Sequence, residues 1–294
     1  MTRFQKAIRA KAHIKLGMTG PTGSGKTYSS LLLARGLVGK KGRIAVIDTE
    51  NNSSTLYDNL TDFDQCEVVP RASGAFHHHD FIDAIREAES AGYDCIIIDS
   101  FSHLWQAILA EKDMLDKTSK ASTGSNSSFR NWGQATKDFN DSVQHVLQCK
   151  MHVIACMRSK MEFVLTEDRK VEKKGLAPVM RDGIEYEFTT VFDIDQSHTA
   201  TASKDRTGLF VREGAFLIDE STGEKIARWI DGGADVIDRQ GIYAKVRELV
   251  SNGGLLLDDV TKEVKSYGKD KMLDLDDESF MKVAASLGVA GTVL

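Results

Sequence analysis

An α/β fold, with a mostly parallel sheet flanked by helices and a small helical module after it, is predicted by three observations. From residue 14 to about residue 210, short apolar runs of strand length alternate with amphipathic stretches. The first of these runs leads directly into a glycine-rich loop and then a helical segment. After about Asp219 the strand-like runs cease, and short helical stretches split by Gly and Asp take over. The expected organisation is a basic arm over 1–12, a core over 13–219 and an acidic helical module over 220–294.

In chain order, strands are expected at 14–18, 43–47, 67–69, 95–98 and 152–157, with 191–195 and 200–204 finishing the sheet. Helices are expected at 26–37, 76–91 and 131–148. Residues 113–130, rich in Ser, Thr, Lys and Gly, read as a long mobile loop, and residues 159–186 as an irregular or hairpin-like excursion. Beyond the core, helices are expected at 228–237, 241–251, 257–267 and 279–287.

Composition narrows the function classes. No apolar run approaches the length of a membrane span, and no secretory signal is legible, so a cytoplasmic protein is expected. The four cysteines show no C-x-x-C spacing and suit a reducing compartment, with Cys95 and Cys156 in apolar runs as small core residues. A net charge of −5 argues against a purely electrostatic nucleic-acid binder. The distribution says more than the sum. Arg3, Lys6, Arg9, Lys11 and Lys15 all precede the first acid, Asp48, while Asp258, Asp259 and residues 274–278 make the tail acidic.

Gly20-Pro21-Thr22-Gly23-Ser24-Gly25-Lys26-Thr27 fits G-x-x-x-x-G-K-[ST] at every fixed position, between a strand and a helix that begins near Tyr28. The glycines let backbone N–H groups approach an anion, and the helix N-terminus adds partial positive charge. Lys26 would reach β- and γ-phosphates, and the Thr27 hydroxyl would be a Mg²⁺ ligand. These residues point to nucleotide binding. Asp99 ends a buried strand, Cys95-Ile-Ile-Ile-Asp99, and would hold Mg²⁺ through water. Glu50 follows the strand Ile44-Ala-Val-Ile-Asp48 and admits two readings, a general base for the attacking water or a cap for the segment after it. Arg158 and Lys160 follow the 152–157 strand, as sensors of the γ-phosphate or as ordinary surface charges.

Together the phosphate loop, Ile47-Asp-Thr-Glu50 and Ile96-Ile-Ile-Asp-Ser100 resemble the RecA/RadA class of recombinase ATPases. That resemblance implies a RecA-like P-loop NTPase core, ATP and Mg²⁺ as ligands, and Glu50 as catalytic base. Lys204-Asp-Arg-Thr-Gly208 resembles the Lys-x-Arg-x-Gly signature of RadA-type proteins, which implies that Lys204 and Arg206 reach the nucleotide of a neighbouring subunit in a homo-oligomer, ring or filament. In layout the chain is similar to phage-encoded RecA-like single-strand-annealing proteins over roughly residues 13–210. This implies action on single-stranded DNA in a bacterial host cell, in recombination or annealing. DNA would meet residues 113–130, which offer Lys117, Lys120 and Arg130, and residues 159–181, which carry Lys160, Arg169, Lys170, Lys173 and Lys174, with Phe163 available for stacking. The C-terminal helices have DNA, a single-strand-binding protein or their own core as candidate partners.

Two other functions share this core, a ring-forming helicase or translocase and a regulatory P-loop module that binds a protein partner. The run His77-His78-His79 is read as the polar start of a helix and not as a zinc site, because consecutive residues do not share one helix face and no ligand cluster accompanies them in sequence.

Overall fold

The computed structural model describes residues 11–122, 127–165, 171–233 and 239–289. Among the described residues there are eight strands: β1 (Lys15–Gly20), β2 (Ile44–Asp48), β3 (Asp64–Glu67), β4 (Cys95–Asp99), β5 (His152–Leu165), β6 (Val171–Pro178), β7 (Thr190–Ile194) and β8 (Ala200–Asp205). They form one sheet in the order β3-β2-β4-β5-β1-β7-β8, with β6 pairing on the outer part of β5. Pairings from β3 through β7 are parallel, and β8 and β6 are antiparallel. The mostly parallel sheet expected from the alternation is therefore present.

Helices cover both faces, which explains why β4 reads Cys-Ile-Ile-Ile without polar interruption. Side chains alternate across a strand. Ile96 and Ile98 of β4, with Ile47, Val153, Ala155 and Met157 of its neighbours, enter a core shared with α2 (His78–Ser90), α3 (Phe101–Ser122) and α4 (Ser127–Gln148) through Phe81, Leu104, Phe139 and Val146. α1 (Lys26–Val38) lies against β1, β4 and β5 on the other side, burying Leu31, Leu33 and Ala34.

Residues 113–130 are not a long loop. α3 runs on to Ser122 and α4 starts at Ser127, so most of that stretch is helical. Past Ile108 it carries few buried apolar residues, yet polar contacts continue the helix: Lys112 pairs with Asp116 at 2.9 Å, and Asn131 of α4 donates to Asp116 at 2.7 Å. β3 also falls slightly earlier than the expected 67–69.

The core unit extends from His13 to Trp229, past the expected boundary at 219. α5 (Glu220–Asp231) is the reason. Its Gly223 meets Gly36 of α1 so closely that a Cβ on Gly36 would lie 1.9 Å from the Glu220 carbonyl oxygen, and one on Gly223 would lie 2.2 Å from that of Leu33. Backbone contact of this kind requires glycine on both helices.

The second unit includes residues 230–294. α6 (Arg239–Ser251), α7 (Leu257–Ser266) and α8 (Asp277–Ser286) enclose Ile242, Val246, Val264, Phe280 and Val283 in a core of their own. Arg239 closes it, its guanidinium 4.6 Å from the Phe280 ring centre and donating to the Leu273 and Leu275 carbonyls. Among the described residues, no helix is long and apolar enough to cross a membrane. Cys95, Cys149 and Cys156 are buried, Cys66 is exposed, and all four are free thiols.

Candidate functional site

β1 delivers the chain to Gly20 at the carboxyl edge of the sheet, and α1 carries it away from Lys26. Between them Gly23 and Gly25 take φ of 80° and 86°, backbone that side-chain-bearing residues adopt only under strain. Gly20 is fixed by crowding, since a Cβ there would lie 2.4 Å from Ser24 Oγ and 2.6 Å from the Ile194 carbonyl oxygen. Lys26 Nζ donates to the carbonyls of Gly20 at 3.0 Å and Pro21 at 2.9 Å, so the ammonium spans the loop. Thr22 lines the pocket over the loop, and Tyr28 stands exposed on α1 with its ring edge-on to Tyr57 at 6.1 Å.

The opposite wall comes from β4, β5 and the chain after β2. The Thr27 hydroxyl donates to Asp99 Oδ2 at 2.5 Å. Burial pushes the Asp99 carboxyl up to about 6, against the hydrogen bond from Thr27 that favours its charged form. β5 lies between β1 and β4, with Arg158 in register with Gly20 and Cys156 with Asp99. Arg158 therefore enters the crevice between the phosphate loop and Asp99. Its Nε and Nη2 donate to Glu50 Oε1 at 3.0 and 2.8 Å.

Glu50 does not cap the segment after it through its side chain. Buried Asp48 does that work, accepting from Glu50 N at 2.7 Å and Ser54 N at 2.8 Å, which turns Glu50 into the pocket. Thr49 fixes the same corner from beneath. Its hydroxyl accepts from Ser100 N at 2.8 Å and pairs with His103 Nδ1 at 2.6 Å. Lys26, Thr27, Glu50, Asp99 and Arg158 thus line one pocket, completed by Ser53, Leu56 and Tyr57 of a 3-10 turn, Ser53–Tyr57. That turn carries no recognisable motif, which is why sequence reasoning missed it.

Lys204 and Arg206 lie elsewhere. β8 runs antiparallel, so its end sits at the amino edge of the parallel strands, where Arg206 N donates to Thr189 O and Thr189 N to Lys15 O. Lys204 Nζ donates to the carbonyls of Glu185 and Tyr186, and Arg206 Nη2 donates to that of Tyr186. The two cations flank an exposed tyrosine far along β1 from this chain's own phosphate loop.

Of the residues expected to meet DNA, Lys117 and Arg130 are exposed on α3 and α4, and Lys160 is exposed where β5 leaves the sheet. Phe129 is 90% exposed at the start of α4, while Trp132 packs under the Lys112 ammonium at 4.7 Å. Arg169 and Lys170 lie outside the described residues, as do the side chains of Lys120, Phe163, Lys173 and Lys174. Lys15, one of the cations that precede the first acid, has a buried ammonium that donates to the Cys149 and Met151 carbonyls.

The fold brings to the histidine run one carboxylate that is not near it in sequence. Glu111 of α3 accepts from His78 N at 3.1 Å and lies 2.9 Å from His78 Nδ1, with His77 within 3.8 Å. His77 has extended backbone and caps α2, so His77 and His78 both face Glu111. The carboxylate is engaged as a helix cap and ion-pair partner.

Over residues 12–216, more than half of its length, the chain matches the protein family described as an AAA domain. No curated protein shows significant similarity to it. The matched span holds every pocket residue named above, and membership of this family supports nucleotide binding by a P-loop NTPase.

Proposed function

We propose that this chain, which belongs to the AAA domain family, is a Mg²⁺-dependent ATPase of RecA-like design that acts on single-stranded DNA in recombination or strand annealing. The donor set fits the ligands. Oxygen donors on Thr27 and Asp99 suit a hard cation, and the loop glycines leave N–H groups and Lys26 to face phosphate oxygens. When bound, the nucleotide supplies the transferable γ-phosphoryl group and Mg²⁺ neutralises charge on its oxygens. Glu50 takes the proton of the attacking water on a carboxylate oxygen, and Arg158 holds that carboxylate in place. Lys204 and Arg206 stand at the opposite edge of the sheet from this chain's loop. Their service at a nucleotide would therefore be to a neighbouring subunit, in a homo-oligomer with ATP at the interface.

One observation carries the DNA reading. β5 is a single 14-residue strand that begins in the core, passes Arg158 at the nucleotide pocket and continues into the β5–β6 hairpin. A ligand that moves the hairpin therefore pulls on the residue that orients Glu50. The test is ATP turnover with and without single-stranded DNA. Stimulation supports the reading. A flat response favours a regulatory nucleotide switch, and directional unwinding of a duplex favours a helicase.

A further inference from the structure

We propose that His198, in the turn between β7 and β8, is a positioning residue for the phosphate loop. This rests on the nucleotide-binding reading of that loop. His198 Nδ1 lies 3.1 Å from the carbonyl oxygen of Ser24, a contact across 174 residues of sequence, and the acceptor requires that Nδ1 carry the proton. The Ser24 carbonyl and the Gly25 N–H belong to one planar trans peptide and point in opposite directions. Holding the oxygen from outside aims the Gly25 N–H toward the concave side of the loop, where phosphate oxygens would sit. The same ring occupies the space over Gly25, where a Cβ would approach its Nδ1 to 3.1 Å.

The turn is built to present this ring. His198 is one of three non-glycine residues with positive φ among those described, at 64°. The strain is held in place by Asp195, whose side chain accepts from Ser197 N at 2.8 Å and Thr199 N at 2.9 Å, while His198 N donates to the Asp195 carbonyl at 3.1 Å. Within the loop the Ser24 N–H donates to the Pro21 carbonyl at 3.2 Å, but that bond fixes the preceding peptide, and the Ser24 Oγ is buried without a hydrogen-bond partner. An external donor to its carbonyl is then the polar contact that fixes this peptide.

Asn tolerates the left-handed conformation, and its Nδ2 superimposes on the position of histidine Nδ1. The test is titration of the full chain with a fluorescent ATP analogue, alongside steady-state kinetics, for H198A, H198G and H198N, each checked by its melting curve. H198A and H198G are expected to weaken nucleotide binding about tenfold and to raise KM while kcat changes little. H198N is expected to bind within about twofold of the unaltered chain. Wild-type affinity in H198A and H198G overturns the proposal, and so does H198N binding as weakly as H198A. Should H198A fail to fold, the comparison of H198G with H198N decides. No nucleotide binding by the unaltered chain would overturn the reading beneath it as well.

Discussion

Arg158 directs two donors, Nε at 3.0 Å and Nη2 at 2.8 Å, at one oxygen of Glu50, and so ties the middle of β5 to the chain leaving β2 across the intervening strand β4. Both side chains are about a third exposed. At such exposure an ion pair adds little to stability, on the order of 0–1 kcal/mol. Its worth lies in orientation.

Variants of this pair should separate orientation from stability. Glu50→Gln is expected to retain ATP binding and lose turnover by about 10²–10⁴-fold, the usual contribution of a positioned general base. Arg158→Ala should lower kcat by about tenfold or more with a melting temperature near that of the unaltered chain. Arg158→Lys should not restore it, since the two donors come from a planar fork that an ammonium lacks. Equilibrium binding of ATP and single-turnover hydrolysis check all three. An unchanged rate in Glu50→Gln removes it from the base role.

The position of Lys204 and Arg206 leads to a mixing experiment. Lys26→Ala should disable a subunit's own site while keeping its far edge intact, and Lys204→Ala with Arg206→Ala should do the reverse. Each alone should be inactive. Mixed in equal amounts, they should regain a measurable fraction of ATPase activity, because some interfaces then combine an intact site with intact cations. No recovery under conditions where mixed oligomers form would rule out service in trans.

Lys15 should matter for stability and not for DNA. Its buried ammonium satisfies the Cys149 and Met151 carbonyls, at 2.8 and 2.6 Å, where α4 gives way to β5. Lys15→Met keeps much of the volume and removes the donors, at an expected cost of about 1.5–3 kcal/mol. A lower urea midpoint with an unaltered denaturant slope is the predicted outcome.

The His78–Glu111 pair should give stability a pH signature. The hydrogen bond to Glu111 raises the His78 pKa above its ordinary 6.5, so that contribution is full below that value and lost as pH rises through the folded-state pKa. Glu111 is held below its ordinary 4.5, its burial outweighed by the bonds from His78, so its contribution is present above that value and lost as pH falls through the folded-state pKa. The difference in melting temperature between the unaltered chain and Glu111→Gln should therefore be largest near pH 5–6, between those ordinary values, and shrink on both sides. A difference that is flat with pH would exclude the ion pair as its source.

What was legible in the sequence was what lies close together in it. The phosphate loop is contiguous, and Asp99 and Glu50 each end or follow an unbroken apolar strand, so periodicity alone places them at one edge of the sheet. Tyr57, His198 and Glu111 carry no such mark. Each is brought to its partner by a turn or helix dozens of residues away, and His198 reaches Ser24 only because β7 lies beside β1. Residues 113–122 looked like a loop because their helix is held by ion pairs and by α4 instead of an apolar stripe. The first helix past the core was expected only from residue 228, yet α5 begins at Glu220, and its Gly223 is the surface on which it meets α1.

The most direct test of the central claim is the steady-state ATPase rate at low salt, measured with and without single-stranded DNA over a range of protein concentrations. The account predicts a rate per subunit that rises with concentration and rises again on adding DNA, as expected for a site completed by a neighbour and sensed through β5. A rate that responds to neither would leave the nucleotide site in place and contradict both the shared interface and the DNA ligand.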